Sequence, residues 1–522
     1  MTPAAESAAE RRVMIVYLNC QTFEYDVHSL LKAFYPEEDV RITYEPGEAA
    51  VSVTALPEDI PSPDETLLYS GEITAVFFDG AKAADKSIEK VVKRAENVNR
   101  SELKNIVKIA IYELLCSVNK RTLPWGTLTG IRPTKIPMSL MNQGRDDEYI
   151  RDYLKNVYKC SDEKITLSMD IAKRENSILK DVCNKADGYS LYIGIPFCPT
   201  RCLYCSFTSY PIASYKKRVD EYFKCIKKEL AFVHEQFKGK NPDTIYIGGG
   251  TPTSLSADEL DLLLTMTEEY FDVKAVREFT VEAGRPDSIT LDKLLVLKNH
   301  NVTRISVNPQ TMNQATLDLI GRRHSVSDVE EAFNMARSAG FSNINMDIIL
   351  GLPGENEEML RNTLDKIEEL SPDSLTVHSM AIKRAAGMHE FLLAHPDIES
   401  TNTQEMMAMS AKTAHKLSLK PYYLYRQKNM AGNYENVGYA RESCCGLYNI
   451  LIMEEVQSIV ALGAGTVSKR VYSDGRIERC DNVKDVNMYI EKIDEMIERK
   501  RRLFVPDGEA SLFQSEKSPT ST

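Results

Sequence analysis

From residue 190 onward, short apolar runs alternate with longer segments whose apolar positions recur every three or four residues. The short runs fall at 190–195, 243–248, 277–282, 302–307, 343–349 and 373–379, and predict strands. The longer segments, at 213–238, 256–271, 288–299, 326–339 and 355–369, predict helices packed by one face. Six such units in succession predict a parallel sheet with helices outside it. Six are fewer than the eight that close a full barrel, so the expected fold class is α/β with a partial, laterally open (β/α)6 barrel. Upstream, VMIVYLN at 13–19 and ITAVFF at 73–78 read as strands. A helix is expected at 26–34 and a long amphipathic one from about 86 to 118. The loop LPWGTLTGIRPTK, 123–135, holds the only tryptophan and is punctuated by Gly126, Gly130 and Pro133. It reads as a packed connector, or as a contact to the next domain or to a substrate. Two or three more helices fill 136–184, and residues 403–500 read as mainly helical with an apolar segment near 450–468. The expected domains are an α+β N-terminal domain of unknown role at 1–185, the barrel at 186–400, a mainly helical covering domain at 401–502 and a disordered tail at 503–522.

Composition narrows the classes of function. A net charge of −12 disfavours nonspecific nucleic-acid binding. No apolar run is long enough to span a membrane, and the N-terminal residues carry no secretory signal. Of eleven cysteines, Cys20, Cys116, Cys160, Cys183, Cys225, Cys444, Cys445 and Cys480 show no disulfide-like framework. The chain therefore reads as cytoplasmic and reducing, where thiolates persist as metal ligands. Adjacent Cys444 and Cys445 read as a redox pair or as ordinary buried thiols.

The remaining three cysteines, Cys198, Cys202 and Cys205, are spaced C-x3-C-x2-C in YIGIPFCPTRCLYCSF, directly after the first barrel strand. Three thiolates on a short loop can hold three irons of a cubane and leave the fourth open to a small molecule, whereas four-cysteine sites are closed. A zinc site, which needs a fourth ligand nearby, and buried structural thiols are the alternatives. The spacing, with Tyr204 beside the last cysteine, resembles the signature of radical S-adenosylmethionine (SAM) enzymes. That resemblance implies a [4Fe–4S] cluster whose open iron is chelated by SAM, and a 5′-deoxyadenosyl radical on its cleavage. It makes the expected barrel a radical SAM barrel.

The loops at the C-terminal strand ends are where the rest of such a site belongs. The second strand ends in Gly248, Gly249, Gly250 and Thr251, whose backbone groups are expected to be free for the methionyl end of SAM. The third places Glu282 at the rim, where the SAM ammonium would compensate a buried carboxylate. The fourth ends at Gln310, with Arg322 twelve residues on to grip a carboxylate in bidentate fashion. The fifth carries Asp347, an acceptor for ribose hydroxyls, and the sixth leads to Ala381, whose backbone would read adenine. Taken singly, Glu282 and Arg322 also fit a structural ion pair, and Asp347 a cap.

From about 188 to 470 the chain resembles the oxygen-independent coproporphyrinogen III oxidase (coproporphyrinogen dehydrogenase) family. The stretches that carry the resemblance are YIGIPFCPTRCLYCSF, YIGGGTPTSL, VEAGRPDSIT, RISVNPQTMN with LIGRRHS, and NMDIILGLPGE. The N-terminal region, with LPWGTLTGIRPTKIP, resembles the HemZ branch of that family. The resemblance implies Tyr192 against the SAM–cluster unit, and SAM contacts from Gly249, Gly250, Thr251, Glu282, Gln310, Arg322 and Asp347, with Ala381 near adenine. It implies oxidative decarboxylation of two propionates of coproporphyrinogen III to vinyl groups in porphyrin and haem biosynthesis. A low-potential donor such as flavodoxin or ferredoxin is implied as partner. Arg201, Lys383, Arg384, Arg426 and Lys428 are candidate cations for a tetracarboxylate substrate, or solvated surface charges.

Two departures bear on the reaction. Phe207 stands where the founding oxidases have a further cysteine. A related branch of haem chaperones carries His-Asn-x-x-Tyr-Trp, and the corresponding stretch here is YENVGYA, with Glu435 for the histidine and Ala440 for the tryptophan. A haem-binding or trafficking protein, and a radical SAM enzyme acting on haem itself, are the alternative functions. His324 and His378 read as axial ligands in those alternatives, or as surface and hydrogen-bonding groups.

Overall fold

The computed structural model describes residues 13–504 apart from 20, 37, 46–48, 55–67, 79–86, 131, 181, 183–187, 383–385 and 428–433. The chain divides into two units, Met1–Ala172 with Arg426–Asn429, and Lys173–Tyr425 with Met430–Thr522.

The first unit is built on strands β1 (Val13–Leu18), β2 (Asp39–Thr43), β3 (Val51–Thr54), β4 (Tyr69–Phe78) and β5 (Ser87–Val98), in the order β2-β1-β3-β4-β5. β1 runs parallel to β2 and β3, and β3, β4 and β5 are antiparallel. Val16, Val51, Ile73 and Ala75 of the sheet pack with Leu30 and Leu31 of helix Glu24–Phe34 and with Leu103, Ile111 and Leu114 of helix Arg100–Asn119. The helix expected from 86 to 118 is thus half strand. Glu, Lys and Arg are good helix formers, but pairing with β4 overrides their propensity. Asn97 then takes a left-handed turn (φ 51°). Asn99 caps the true helix, its side chain accepting Glu102 N–H at 3.0 Å while Glu102 accepts Asn99 N–H at 2.9 Å. The tryptophan loop is a packed connector within this unit. Trp125 is buried, and a Cβ on Gly126 would lie 2.1 Å from the Tyr158 carbonyl oxygen. Arg426, a candidate cation for substrate, is instead buried over the Trp125 ring at 5.9 Å.

In the second unit all six expected barrel strands form. They are β6 (Tyr189–Ile195), followed by the short pair β7 (Phe197–Cys198) and β8 (Tyr210–Pro211), then β9 (Thr244–Gly249), β10 (Glu278–Gly284), β11 (Arg304–Val307), β12 (Ile344–Leu350) and β13 (Ser374–Ser379). β6, β9, β10, β11, β12 and β13 are neighbours in that order and parallel throughout. They are buried along most of their length, as a sheet covered on both faces requires, with polar Thr280, Ser306, Asn345 and Thr376 set among their apolar residues.

Residues 401–502, expected to be mainly helical, contribute five more strands: β14 (Lys420–Tyr425), β15 (Asn436–Ala440), β16 (Ser458–Leu462), β17 (Val467–Val471) and β18 (Ile477–Asp481). β15 and β14 extend the β13 edge in antiparallel fashion, and β16 lies parallel to β6 with β17 and β18 beyond it. Short buried runs such as SIVAL lack the alternation that marks a strand, so periodicity alone does not separate them from buried helix. Among the described residues no helix is long and apolar enough to cross a membrane. Cys20, Cys183, Lys383, Arg384, Lys428 and residues 505–522 of the expected tail lie outside the described residues.

Candidate functional site

The three-cysteine loop leaves the end of β6 and is held from two sides. Gly250 N–H donates to Ile195 O at 2.8 Å and Thr251 N–H to Phe197 O at 2.7 Å. Leu203 N–H donates to Ile320 O at 3.0 Å, and Met388 N–H to Leu203 O at 3.1 Å. A Cβ on Gly250 would stand 2.5 Å from the Phe197 carbonyl oxygen, so only glycine allows this approach. The expectation of free amides here is corrected for Gly250 and Thr251, because both are engaged in tying the cysteine loop to β9. Thr251 also sets its hydroxyl 3.4 Å from the Cys198 sulfur.

Cys198 and Cys202 are buried and Cys205 partly so. Burial pushes the Cys198 thiol up to about 11 and raises that of Cys205 as well. A thiolate in this loop therefore needs a positive partner, which cluster irons supply. Among the described residues no three His, Cys, Asp or Glu side chains converge on a single metal ion. A cubane takes each thiolate on a different iron, so the donor set fits a cluster better than a lone zinc ion.

Beside the loop, the barrel lumen is lined with aromatic rings and acids. Tyr192, Tyr246 and Tyr448 stack, with centroids 5.9 Å, 6.1 Å and 4.6 Å apart. Tyr246 donates its hydroxyl to Glu282 at 2.6 Å. Gly248 leaves room for that carboxyl, since its Cβ would lie 2.9 Å from Glu282 Cδ. Gly249 (φ +110°) lies beneath Tyr192, whose hydroxyl would be 3.5 Å from its Cβ. Asn345 donates to Asp347 at 2.6 Å, and His378 Nε2 stands 3.8 Å from the other Asp347 oxygen. Burial works to raise the Asp347 carboxyl, but His378 and Asn345 hold it below the usual carboxylate range. Tyr425 Oη lies 3.5 Å from His378 Nδ1. The histidine thus has a hydrogen-bonding place. His324 is buried and its imidazole is pushed down to about 4, mainly by burial.

Gln310 adopts a left-handed backbone (φ 69°), fixed by Gln310 N–H to Asp347 O and Ile349 N–H to Gln310 O, both 2.9 Å. Its Oε1 is buried without a hydrogen-bond partner, as are Ser306 Oγ, Asn308 Oδ1 and Arg322 Nε. Buried polar atoms left unpaired are costly, and a polar ligand at these strand ends would satisfy them. Arg322 departs from expectation. Its Nη1 donates to Tyr204 Oη at 3.0 Å and its Nη2 to Asn308 O at 2.5 Å, so two arms of the fork already have partners within the chain and Nε is left unpaired. Ala381 is half-buried just past β13.

Sequence reasoning missed Tyr246, Tyr448 and Arg285. Tyr246 stands two residues before the glycines and Arg285 three after Glu282, so both lie within motifs already singled out. Tyr448 reaches the lumen from helix Leu447–Glu454, whose first amides are capped by buried Glu278 of β10 at 2.6 and 3.2 Å. No local signal in the sequence marks that contact.

Burial lifts the Glu282 carboxyl to about 7, helped by the charge of Asp347 and opposed by Tyr246, Gly249 N–H and Arg304. This value lies above the roughly 4.3 of an unfolded glutamate. Between about 4.3 and 7 the folded state therefore keeps a proton that the unfolded state has released, and stability falls as pH rises through that window. Glu282→Gln is expected to flatten this fall in the ligand-free protein. Melting temperatures of both proteins at about pH 5 and about pH 7.5 check it, and equal slopes would count against the assignment.

Residues 192–367 match the model of the Radical SAM superfamily. The chain is 38% identical over 482 residues to the oxygen-independent coproporphyrinogen-III oxidase-like protein HemZ of Bacillus subtilis, covering 91% of this chain and 94% of the relative. It is 39% identical over 197 residues to the heme chaperone HemW of the same organism, covering 37% of this chain and 51% of the relative. Among solved structures, the radical SAM coproporphyrinogen III oxidase HemN from Escherichia coli aligns with a TM-score of 0.49 and 22% identity, over 62% of this chain and 73% of that one.

Proposed function

Because the chain belongs to the HemZ-type, oxygen-independent coproporphyrinogen-III oxidase-like family of radical SAM proteins, we propose that it decarboxylates coproporphyrinogen III oxidatively to protoporphyrinogen IX. Its cofactors are a [4Fe–4S] cluster and SAM. Likeness over nearly the whole length of a relative named for that oxidase carries the reading of the substrate. Cys198, Cys202 and Cys205 hold the cluster in this reading, and the lumen set of Tyr192, Gly249, Glu282, Gln310 and Asp347 holds SAM. A cluster held by these three cysteines would supply the reducing electron for cleavage of the bound SAM.

The chain's own residues have separate tasks. Glu282 releases its proton to solvent and receives the SAM ammonium, while the Tyr246 hydroxyl goes on donating to the carboxylate. Asp347, kept ionised by His378 and Asn345, accepts from ribose hydroxyls. The stacked tyrosines wall the lumen and keep water from the reacting carbon. A low-potential donor such as flavodoxin or ferredoxin supplies electrons, and we place the protein in the cytoplasm, where its thiols stay reduced.

A haem-carrying role is the second reading, favoured by the likeness to a heme chaperone. Against it, the YENVGYA stretch is built into the sheet. Glu435 and Asn436 are buried, the Asn436 side chain accepts Ser379 N–H at 2.7 Å, and the Glu435 carbonyl accepts the Ser379 hydroxyl at 2.9 Å. The deciding experiment is an anaerobic reaction of cluster-loaded protein with SAM, a strong reductant and coproporphyrinogen III, read by mass spectrometry. Loss of two CO2 with 5′-deoxyadenosine formed is expected. Deoxyadenosine with unchanged porphyrinogen would overturn the substrate, and tight haem binding without either product would favour the carrier.

A further inference from the structure

Strand β10 breaks its register between Glu282 and Gly284, where Glu282 pairs with Ser306 but Gly284 with Val307. Gly284 turns with φ +48°, and Arg285 N–H closes back on Ala283 O at 2.7 Å. Such a bulge re-aims the side chains that follow it. Glu282 reaches Tyr246 in the lumen, while Arg285, three residues on, reaches the cysteine loop.

Arg285 is only 3% exposed and every nitrogen of its guanidinium is engaged. Nε and Nη2 donate to the two Asp287 oxygens at 2.9 and 2.6 Å. Nη1 donates to Thr200 O at 3.0 Å and Thr200 Oγ1 at 2.8 Å, and it stands 3.7 Å from the Cys202 sulfur. Arg285 therefore grips the loop between the first two cysteines and points a charged N–H at one cluster ligand. Lysine has no fork that could meet Asp287, Thr200 and the sulfur together.

We infer that Arg285 is a positioning residue for the cluster, whose hydrogen bond to the Cys202 thiolate makes the cluster easier to reduce. Taking up one electron adds a negative charge that spreads onto the sulfurs. A cationic donor at one of those sulfurs stabilises the reduced form more than the oxidised one and raises the potential. Asp287 works the other way, since its charge offsets part of that of Arg285. The inference rests on the cluster and not on the identity of the substrate.

The test is a redox titration of the reconstituted protein followed by electron paramagnetic resonance, on the wild type, R285Q, R285K and D287N. Iron and sulfide content are measured alongside. R285Q is expected to lower the reduction equilibrium constant about tenfold, which is ~59 mV for one electron. R285K should fall between, and D287N should shift the potential upward. A loaded R285Q cluster at the wild-type potential overturns the inference. Should R285Q take up no iron, R285K and D287N decide, and wild-type potentials in both overturn it. A wild-type protein that takes up no iron at all would strike at the functional reading instead, so the two failures are distinct.

Discussion

Serine at any one of Cys198, Cys202 or Cys205 is expected to abolish stable cluster loading, whereas serine at Cys225, Cys444 or Cys480 is expected to leave it intact. All six positions carry free thiols, so the contrast rests on place and not on oxidation state. The first three share one loop, tied on one side to β9 and on the other to Ile320 and Met388, and a site with only three protein ligands has none to spare. The Cys225 sulfur instead points at Ile490 O, 3.9 Å away on the helical side of β6, and Cys444 lies against its neighbour Ser443. Cys480 sits on β18, far along the sheet from β6. A thiol-to-hydroxyl change at these three sites alters packing by little, and folding should survive it. Iron and sulfide per chain, with the visible absorption of the reconstituted protein, check the contrast. Equal iron loss in both groups would remove the ligand assignment.

Gly250→Ala is expected to have the second-largest effect, and to act through the backbone. The added methyl would meet the Phe197 carbonyl oxygen at 2.5 Å, its carbon at 2.9 Å and the Ile195 oxygen at 3.0 Å. All three are main-chain atoms at the root of the cysteine loop, so no side chain can swing aside. Either the loop moves off β9 or β9 bends, and both lengthen the Gly250 and Thr251 hydrogen bonds. Overpacking of this kind costs about 1–3 kcal/mol, and we expect cluster occupancy to drop several-fold with it. Gly130→Ala is the matched control, because a Cβ there meets nothing within 4 Å. Iron content and thermal unfolding of the two variants measure the difference. Wild-type loading in Gly250→Ala would show that the close approach is dispensable.

The barrel was legible because each of its first five strands is followed by an amphipathic helix, so two periodicities mark the boundaries there. Residues 87–98 were not, since their Glu, Lys and Arg content favours a helix and only pairing with β4 makes them a strand. β16 was hidden for a different reason, as four apolar residues in a row fit any buried element. In the site, the cysteines, Glu282 and Asp347 could be read from residue type and strand-end position alone. Arg322 was read as a grip for a carboxylate, but its partner Tyr204 lies 118 residues away, and nothing local says that its Nη1 is taken. Arg285 escaped because a register shift of one residue decides where it points, and a bulge leaves no periodic trace. The glycine run was recognised as a place of close approach. What approaches it proved to be the chain itself at Gly250.

The strand that delivers the cysteines is also the one that β16 covers. Five residues of β16, Ser458–Leu462, pair in register with Tyr189–Ile193 of β6, and β17 and β18 lie beyond. A fragment cut after residue 400 would keep every cluster ligand yet bare the whole flank of β6 as an unpaired, apolar edge. Such an edge invites other chains to add to it. Strands β16 to β18 thus cover an edge open to self-association, and a shortened protein is expected to meet insolubility before any question of iron arises.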